Sequence, residues 1–306
     1  MEIAQLEMFV AVAEAGSITK AASALLRAPS NVSTRIQQLE RELNVKLLVR
    51  DKRQASLSAD GELFLDYARQ IVDLAHEAKS FTRRGEPRGR FRLGALESTA
   101  AVRIPALLAQ FHLEYPAVEL ELEASSSGNL FDHLLSGQLT AAFSDGKPAA
   151  PSLTGLRAFT EDLVIISPPS VNVAGAGFRA SNPTVFVFGT VCSYRQRFED
   201  WLEAEGIVPS RVVEISSYYS MLACVAAGAG ISMIPLSLLE TLPGANGVRA
   251  HRIEGRLGQA ETWLMWRRDC RSANLQAFIG TLREHLAALP EEPPAAGERL
   301  PDLQVR

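Results

Sequence analysis

The sequence is poor in the residues that would announce an enzyme, a metalloprotein or a secreted domain. Three cysteines in 306 residues, Cys192, Cys224 and Cys270, are odd in number and far apart, so neither a disulfide framework nor a zinc site is expected. The five histidines, at 76, 112, 133, 251 and 285, form no i, i+4 pair, and there is no Gly-x-Ser-x-Gly elbow or P-loop. Two glycine-rich stretches fail the dinucleotide test. GAGFRA at 175 to 180 precedes Ser-Asn-Pro rather than a helix, and GAGISMI at 228 to 234 leaves a helix to enter a strand. No catalytic residue, cofactor or metal is therefore expected. Long apolar runs are missing too: none reaches the roughly 18 to 20 residues that cross a bilayer. The opening MEIAQLEMF has no basic leader region or cleavage site, so the expectation is a cytoplasmic protein without a membrane partner.

Positive charge is scarce overall, with a net charge of -4, but it is unevenly spread. Residues 17 to 58 hold eight Lys or Arg against three acids, whereas residues 91 to 306 hold 17 against 23. A basic head on an acidic body is the asymmetry of a chain in which one domain meets phosphate and the other does not. The composition, 47% hydrophobic and 22% charged, is that of a folded protein, and the length suits two or three domains.

The head reads as three helices. Residues 4 to 15 place Leu6, Phe9, Val10 and Ala13 on one face; Gly16 can close that helix and Ser17 cap the next. The second, ITKAASALLR, turns Ala21, Ala22, Leu25 and Leu26 inward. Pro29 then breaks the chain, Ser30 is a suitable N-cap, and a third helix runs to Leu43 with Asn44 as its left-handed cap. Its apolar stripe is narrow, made of Val32, Ile36, Leu39 and Leu43. Two helices joined by a short turn, the second polar on its outer face, are the sequence form of a helix-turn-helix. The basic hairpin expected at 47 to 61 makes a wing beside it.

Ser58 caps a long helix from Ala59 to about Arg84. Leu63, Tyr67, Ile71, Leu74, Ala78 and Phe81 form a near-heptad seam on it, which fits either a second copy of the chain or its own body. After the hinge GEPRGR, strands are expected at 91–96, 118–124, 141–144, 163–166, 184–188, 211–215, 231–234 and 262–266. Helices are expected at 100–114, 129–136, 194–205, 218–227 and 272–288. This alternation implies α/β lobes with mostly parallel sheets. The boundaries read as a head at 1–58, a dimerising linker at 59–90 and an effector domain at 91–289. Within the latter, lobe I is 91–161 plus 262–289 and lobe II is 162–261. The Pro- and Glu-rich 290–306 is a disordered tail.

GSITKAASALL, NVSTRIQQLERELNVKLLVR and LSADG in the head, with IPALLAQFHLEYP, LLSGQLTAAF and VAAGAGISMIP in the body, resemble the LysR-type transcriptional regulators over almost the whole chain. The resemblance implies a winged helix-turn-helix, a linker helix pairing two subunits, and a two-lobed effector domain like a periplasmic binding protein. It also implies homodimers or homotetramers on a double-stranded DNA operator, a small-molecule effector, and RNA polymerase as a partner at the promoter. LESTAAVRIPA, CSYRQRFEDWL and SYYSMLACVAAGAG are similar to the subgroup of the regulator of putrescine utilisation. The chain departs from the commoner pattern where Gln-Pro and Ser-Arg-Gln-Ile become Pro29-Ser30 and Ser33-Thr34-Arg35-Ile36. The arginine moves by one place, about 100° around the helix. Thr140 stands where an Asp is common.

With the stripe buried, Ser30, Asn31, Ser33, Thr34, Arg35 and Gln38 face base edges. Arg50, Lys52 and Arg53 meet phosphate or the minor groove, and Ser17 and Thr19 meet the backbone. In the body, Glu97, Ser98 and Thr99 follow a strand, Ser126 and Ser127 precede a helix, Ser144 and Asp145 end a strand, and Cys192, Ser193 and Tyr194 open another helix. Ser98 and Ser193 either cap their helices or meet a ligand, or both. Helix N-termini there favour an anion; Glu97 and Asp145 add negative charge, so an amine-containing effector such as an amino acid or polyamine is expected. The rival readings are a solute-binding or sensory protein without DNA binding and, last, an enzyme.

Overall fold

The computed structural model describes residues 1–51, 54–81, 86–173, 176–179 and 181–289; Lys52, Arg53 and the expected tail lie outside the described residues. The chain opens with α1 (Ile3–Ala15), α2 (Ile18–Ala24) and α3 (Pro29–Leu43). Gly16, at φ 60°, ends α1 in the left-handed region that a residue without Cβ enters freely. The Ser17 hydroxyl accepts the Lys20 N–H and caps α2, and Asn44 closes α3 at φ 54°.

Two local expectations fail. Pro29 does not break the chain ahead of α3 but is its first helical residue, with Ala28 rather than Ser30 as N-cap; proline's fixed φ and missing N–H suit the first turn. Likewise α2 stops at Ala24, where Leu26 N–H bonds Ser23 O at 3.2 Å and Arg27 N–H bonds Ala22 O at 2.8 Å. That closing turn sets Leu26 at φ 51° and swings it out to 92% exposure, so it is not an inward residue. The remaining apolar positions behave as read: Val32, Ile36 and Leu39 are fully buried with Leu6, Phe9, Ala21 and Ala22.

The hairpin β1 (Leu48–Asp51) and β2 (Gln54–Leu57) pairs Leu48 with Leu57. It is fastened to α3 by Glu40, which is 3% exposed and accepts the Leu47 and Leu48 N–H groups at 3.0 and 3.2 Å. Next comes α4 (Ala59–Phe81), where the Ser58 hydroxyl accepts the Gly61 N–H at 2.9 Å. A Cβ on Gly61 would sit 2.1 Å from the Leu47 carbonyl oxygen, so only glycine lets the long helix start this close to the wing. Leu65, Ala68 and Val72 bury one side of α4 against the head. Leu63, Tyr67 and Leu74 are left 72%, 65% and 66% exposed, so most of the expected seam is not spent on the chain's own body.

The body follows the expected alternation in part: β3 (Gly89–Ala95), a π-helical turn (Thr99–Arg103), α5 (Pro105–Glu114), β4 (Val118–Ala124), α6 (Ser127–Leu135), β5 (Ala141–Asp145), β6 (Leu153–Ser167) and α7 (Ala176–Arg179). Then follow β7 (Thr184–Val187), α8 (Ser193–Ala204), β8 (Arg211–Glu214), α9 (Tyr218–Ala226), β9 (Ile231–Pro235), α10 (Leu236–Leu239), β10 (Arg249–Arg252), β11 (Gln259–Arg267) and α11 (Ala273–Ala288). β6 starts ten residues before the strand expected at 163–166, and α7, α10 and β10 are not among the expected elements. The strand order is β4-β3-β5-β11-β6-β9-β7-β8, with β10 beside β6.

The sheet is mixed, not mostly parallel. β3 is parallel to β4 and β5, and β7 to β8 and β9, but β6 and β11 run antiparallel to all their partners. The reason is connectivity: β6 carries the chain from one half to the other, pairing β11 through Leu153–Asp162 and β9 through Leu163–Ile166. β11 brings it back, and strands that cross in opposite directions are antiparallel. The helix expected at 100–114 is split, since Pro105 has no N–H to continue it and starts α5 afresh. No helix among the described residues is long and apolar enough to cross a membrane.

Candidate DNA-binding face and effector cleft

On α3 the buried stripe leaves Ser30, Asn31, Thr34, Gln38 and Arg41 exposed on the opposite side, while Ser33 and Arg35 are half-buried at its flank. Arg35 does not stand free: its Nη1 lies 3.0 Å from Glu2 Oε2, so the one-place shift of the arginine leans it onto the start of α1. Ser17 is half-buried and engaged as a cap, and Thr19 is exposed beside it. The backbone of Arg50 is in β1, opposite Ala55. The expected contacts of Lys52 and Arg53 lie outside the described residues.

In the body, the structure brings lobe-spanning residues into direct contact. Ser127 at the start of α6 accepts the Ser193 N–H at 2.9 Å and donates to Val191 O at 3.2 Å; the Gly128 N–H donates to the same carbonyl at 3.1 Å. Beside this junction is a cavity of about 410 Å³, lined among others by Ser127, Ser144, Asp145, Lys147, Cys192 and Ser193. Ser98, Thr99, Ser126 and Tyr194 are not in that lining. The hydroxyls of Ser98, Thr99, Ser126, Ser193, Tyr194 and Thr262 are instead buried without a hydrogen-bond partner. The Ser98 hydroxyl faces the phenols of Tyr194 and Tyr218 without closing a well-formed bond to either. Capping is excluded as its role and as that of Ser193: Ser98 makes no side-chain cap bond, and the N-cap of α8 is Cys192.

Six unpartnered buried hydroxyls are costly in an apolar interior and are ordinarily satisfied. Ser98 faces Tyr194 and Tyr218, Ser193 sits at the Ser127 junction and Thr262 of β11 is opposite Asp145 of β5, while the π-helical turn at Thr99–Arg103 is a deviation often found at functional sites. Burial pushes both phenols well above the ordinary tyrosine value, helped for Tyr194 by the charges of Glu161 and Asp145 and for Tyr218 by Tyr194, Cys192 and Glu97. Burial also raises the Cys192 thiol, against the N–H groups of Arg195 and Tyr194 that lower it. Glu97, at the exposed rim, is raised by partial burial.

One part of the charge expectation fails. Asp145 is not a free carboxylate, because Arg197 binds both its oxygens at 3.1 and 3.2 Å and reaches the Gln259 carbonyl at 3.0 Å. Glu161, buried likewise, is held by Arg103 and the Ser237 hydroxyl. Among the described residues, Glu97 and Asp132, the latter in the cavity lining, are carboxylates of this region without an ion pair. Nor is the start of α8 open to an anion, since its first N–H is bonded to Ser127. Tyr218, Thr262 and Arg197 were not singled out in the sequence. Tyr218 had a signal, because it opens a helix just after β8, the same strand-to-helix position as Ser98 and Ser193.

Comparison with known proteins agrees with this architecture. Residues 3–62 match the lysR family of bacterial regulatory helix-turn-helix proteins, and residues 84–287 match the LysR substrate binding domain. The chain is 37% identical over 270 residues to an uncharacterized HTH-type transcriptional regulator, YusT of Bacillus subtilis, covering 88% of this chain and 90% of that one. It is 32% identical over 287 residues to GltR of the same organism, covering 93% and 97%. Among solved structures, full-length CbnR complexed with its target DNA superposes with a TM-score of 0.65 at 24% identity, covering 93% and 99%. A full-length OxyR variant from Pseudomonas aeruginosa superposes with 0.72 at 20%, covering 96% and 99%.

Head, linker and two-lobed body thus define a DNA-binding transcriptional regulator with an effector-binding domain, not an enzyme. The chain belongs to the LysR family of transcriptional regulators. The narrower likeness to a putrescine-utilisation regulator is not upheld: relatives matched at 32 to 37% identity include YusT, GltR, CzcR and SoxR of Arthrobacter.

Proposed function

We propose that the exposed face of α3 reads an operator in the major groove through Ser30, Asn31, Thr34 and Gln38, flanked by Ser33 and by Arg35 once it leaves Glu2. Arg50, Lys52 and Arg53 of the wing, with Ser17 and Thr19, hold the DNA backbone. Two chains pair through Leu63, Tyr67 and Leu74 of α4, whose near-heptad spacing and exposure favour a second copy. Dimers assemble into tetramers in the cytoplasm, and effector-driven closure of the lobes changes the DNA bend and the access of RNA polymerase.

The effector takes its polar contacts from among the hydroxyls of Ser98, Thr99, Ser126, Ser193, Tyr194 and Thr262, and that these are buried without a partner is the observation that carries the reading. Its amine meets Glu97. Lys147 lines the adjoining cavity with its ammonium 5.9 Å from the Trp263 ring centroid and, among the described residues, without an ion pair. The carboxylates of Glu97 and Asp132 beside the ammonium of Lys147 favour a ligand that carries both an amine and a carboxylate, such as an amino acid. A thermal-shift screen with amino acids, diamines and carboxylates tests this, repeated with Ser98→Ala and Ser193→Ala. A stabilising amino acid whose effect is lost in both variants is expected; an effect insensitive to both sinks the site.

A further inference from the structure

Helix α6 touches the cleft at one end and the linker helix at the other. Its first turn makes the lobe-to-lobe junction, and a Cβ on Gly128 would lie 2.8 Å from the Val191 Cβ, so the closed approach depends on glycine there. About 13 Å further along the helix axis, the turn that follows α6 at Ser136–Gln138 meets α4. Gln70 Nε2 donates to Ser136 O, and Gln138 Nε2 donates to Asp66 Oδ1 at 2.9 Å. Between them Gly137, at φ 75°, lets the chain pass so close that a Cβ would sit 2.7 Å from Gln70 Cγ. The helix between these ends is seated firmly: Leu130 and Leu134 are fully buried, and Gly94 on β3 leaves room for Leu130 and Leu139.

A second patch lies beside this one. Glu14, near the end of α1, stands 3.7 Å from Arg69 of α4 and 3.6 Å from both Arg90 and Arg92 of β3. Arg92 also meets Glu121 at 3.2 Å, and the group surrounds a cavity of about 400 Å³. Permanent interfaces are apolar and closely packed, whereas this one is polar, exposed to salt and imperfectly filled, as befits surfaces that part.

The geometry points to the Ser136–Gln138 turn and the Arg90–Arg92 edge as a docking surface for the chain's own linker helix and head, with α6 as the strut that carries movement of the cleft to it. Loosening the Ser127–Val191 junction shifts the first turn of α6. Because α6 is packed along its length, the shift reappears at Gly137, where the contacts with Asp66 and Gln70 are made or lost. The docking stands on its own contacts; only the identification of what closes the cleft rests on the effector site proposed above.

Hydrogen–deuterium exchange on the full-length protein tests it without any ligand. Ser127→Ala removes the hydroxyl bonds to Val191 and Ser193 without adding bulk, and Gly128→Ala wedges the junction open. Both variants are expected to speed exchange at 189–193 and, by about fivefold to tenfold, the fold-change of one net hydrogen bond, at 64–72 of α4. Gln138→Ala is expected to speed 64–72 while leaving 189–193 unchanged. Faster exchange at 189–193 with 64–72 as in the wild type overturns the strut, and so does a Ser127→Ala protein unchanged at both. If Gly128→Ala does not fold, Ser127→Ala decides alone. Failure of the effector site instead shows in the Ser98 and Ser193 variants of the ligand screen, which these measurements do not touch.

Discussion

Asp145, at the end of β5, and Arg197, one turn into α8, form a two-pronged ion pair across the body, with nitrogen to oxygen distances of 3.1 and 3.2 Å. The Asp145 side chain is 5% exposed and that of Arg197 25%, so the pair is largely withdrawn from water. Removing one partner strands the other charge, which typically costs about 3 to 5 kcal/mol. Arg197→Ala is expected to lower the unfolding midpoint in urea accordingly, and more than Arg195→Ala, whose partners Glu199 and Glu214 have side chains 43% and 62% exposed. Equal losses in the two variants contradict this.

Burial raises the phenols of Tyr194 and Tyr218 well above the usual value, so both stay protonated through the pH range in which an ordinary tyrosine ionises. A raised pKa means that the folded protein keeps this stability below about pH 10, where an unfolded tyrosine begins to ionise, and loses it progressively as pH rises from there through the folded values. Alkaline difference spectra of Tyr194→Phe and Tyr218→Phe are expected to match the wild type near pH 10. A smaller absorbance rise in either variant shows that its phenol is open to solvent.

Glu40 is a charged residue on the inner side of the helix proposed to read DNA, and it accepts two backbone N–H groups of the wing. Glu40→Ala leaves both donors unpaired, at about 1 to 3 kcal/mol each. The head is expected to melt earlier and the wing to lose protection in hydrogen exchange, while the body is unaffected. Unchanged protection of Leu47 and Leu48 runs against this role.

The exposed Leu63, Tyr67 and Leu74 predict that Leu63→Glu combined with Leu74→Glu halves the assembly in sedimentation velocity, leaving only the pairs held by the other interface of the tetramer. An undiminished assembly places the interface elsewhere.

Much of this was legible in the sequence, because periodicity and caps act locally. Gly16, Ser17, Asn44 and Ser58 do what their chemistry suggests, and β4 falls at the expected residues. What could not be read depends on partners far away in the chain. Leu26 has an inward spacing, but the closing turn of α2 decides its direction. The burial of Glu40 follows from the wing it fastens, and Asp145 is neutralised by Arg197, 52 positions later. The antiparallel strands β6 and β11 arise because the chain crosses between its halves twice, which no local pattern encodes. Tyr218 joins the cleft only once β8 and β7 are paired.

The most direct test is a gel-shift titration of the full-length protein on the DNA flanking its own gene against random DNA of equal length, at each of several matched salt concentrations, with Thr34→Ala and Arg53→Ala beside the wild type. Wild type is predicted to prefer the flanking DNA by about a thousandfold or more. Thr34→Ala should narrow that gap, and Arg53→Ala should weaken binding to both DNAs alike and flatten the salt dependence. Equal affinity of the wild type for the two DNAs contradicts the assignment of α3 as the reading helix.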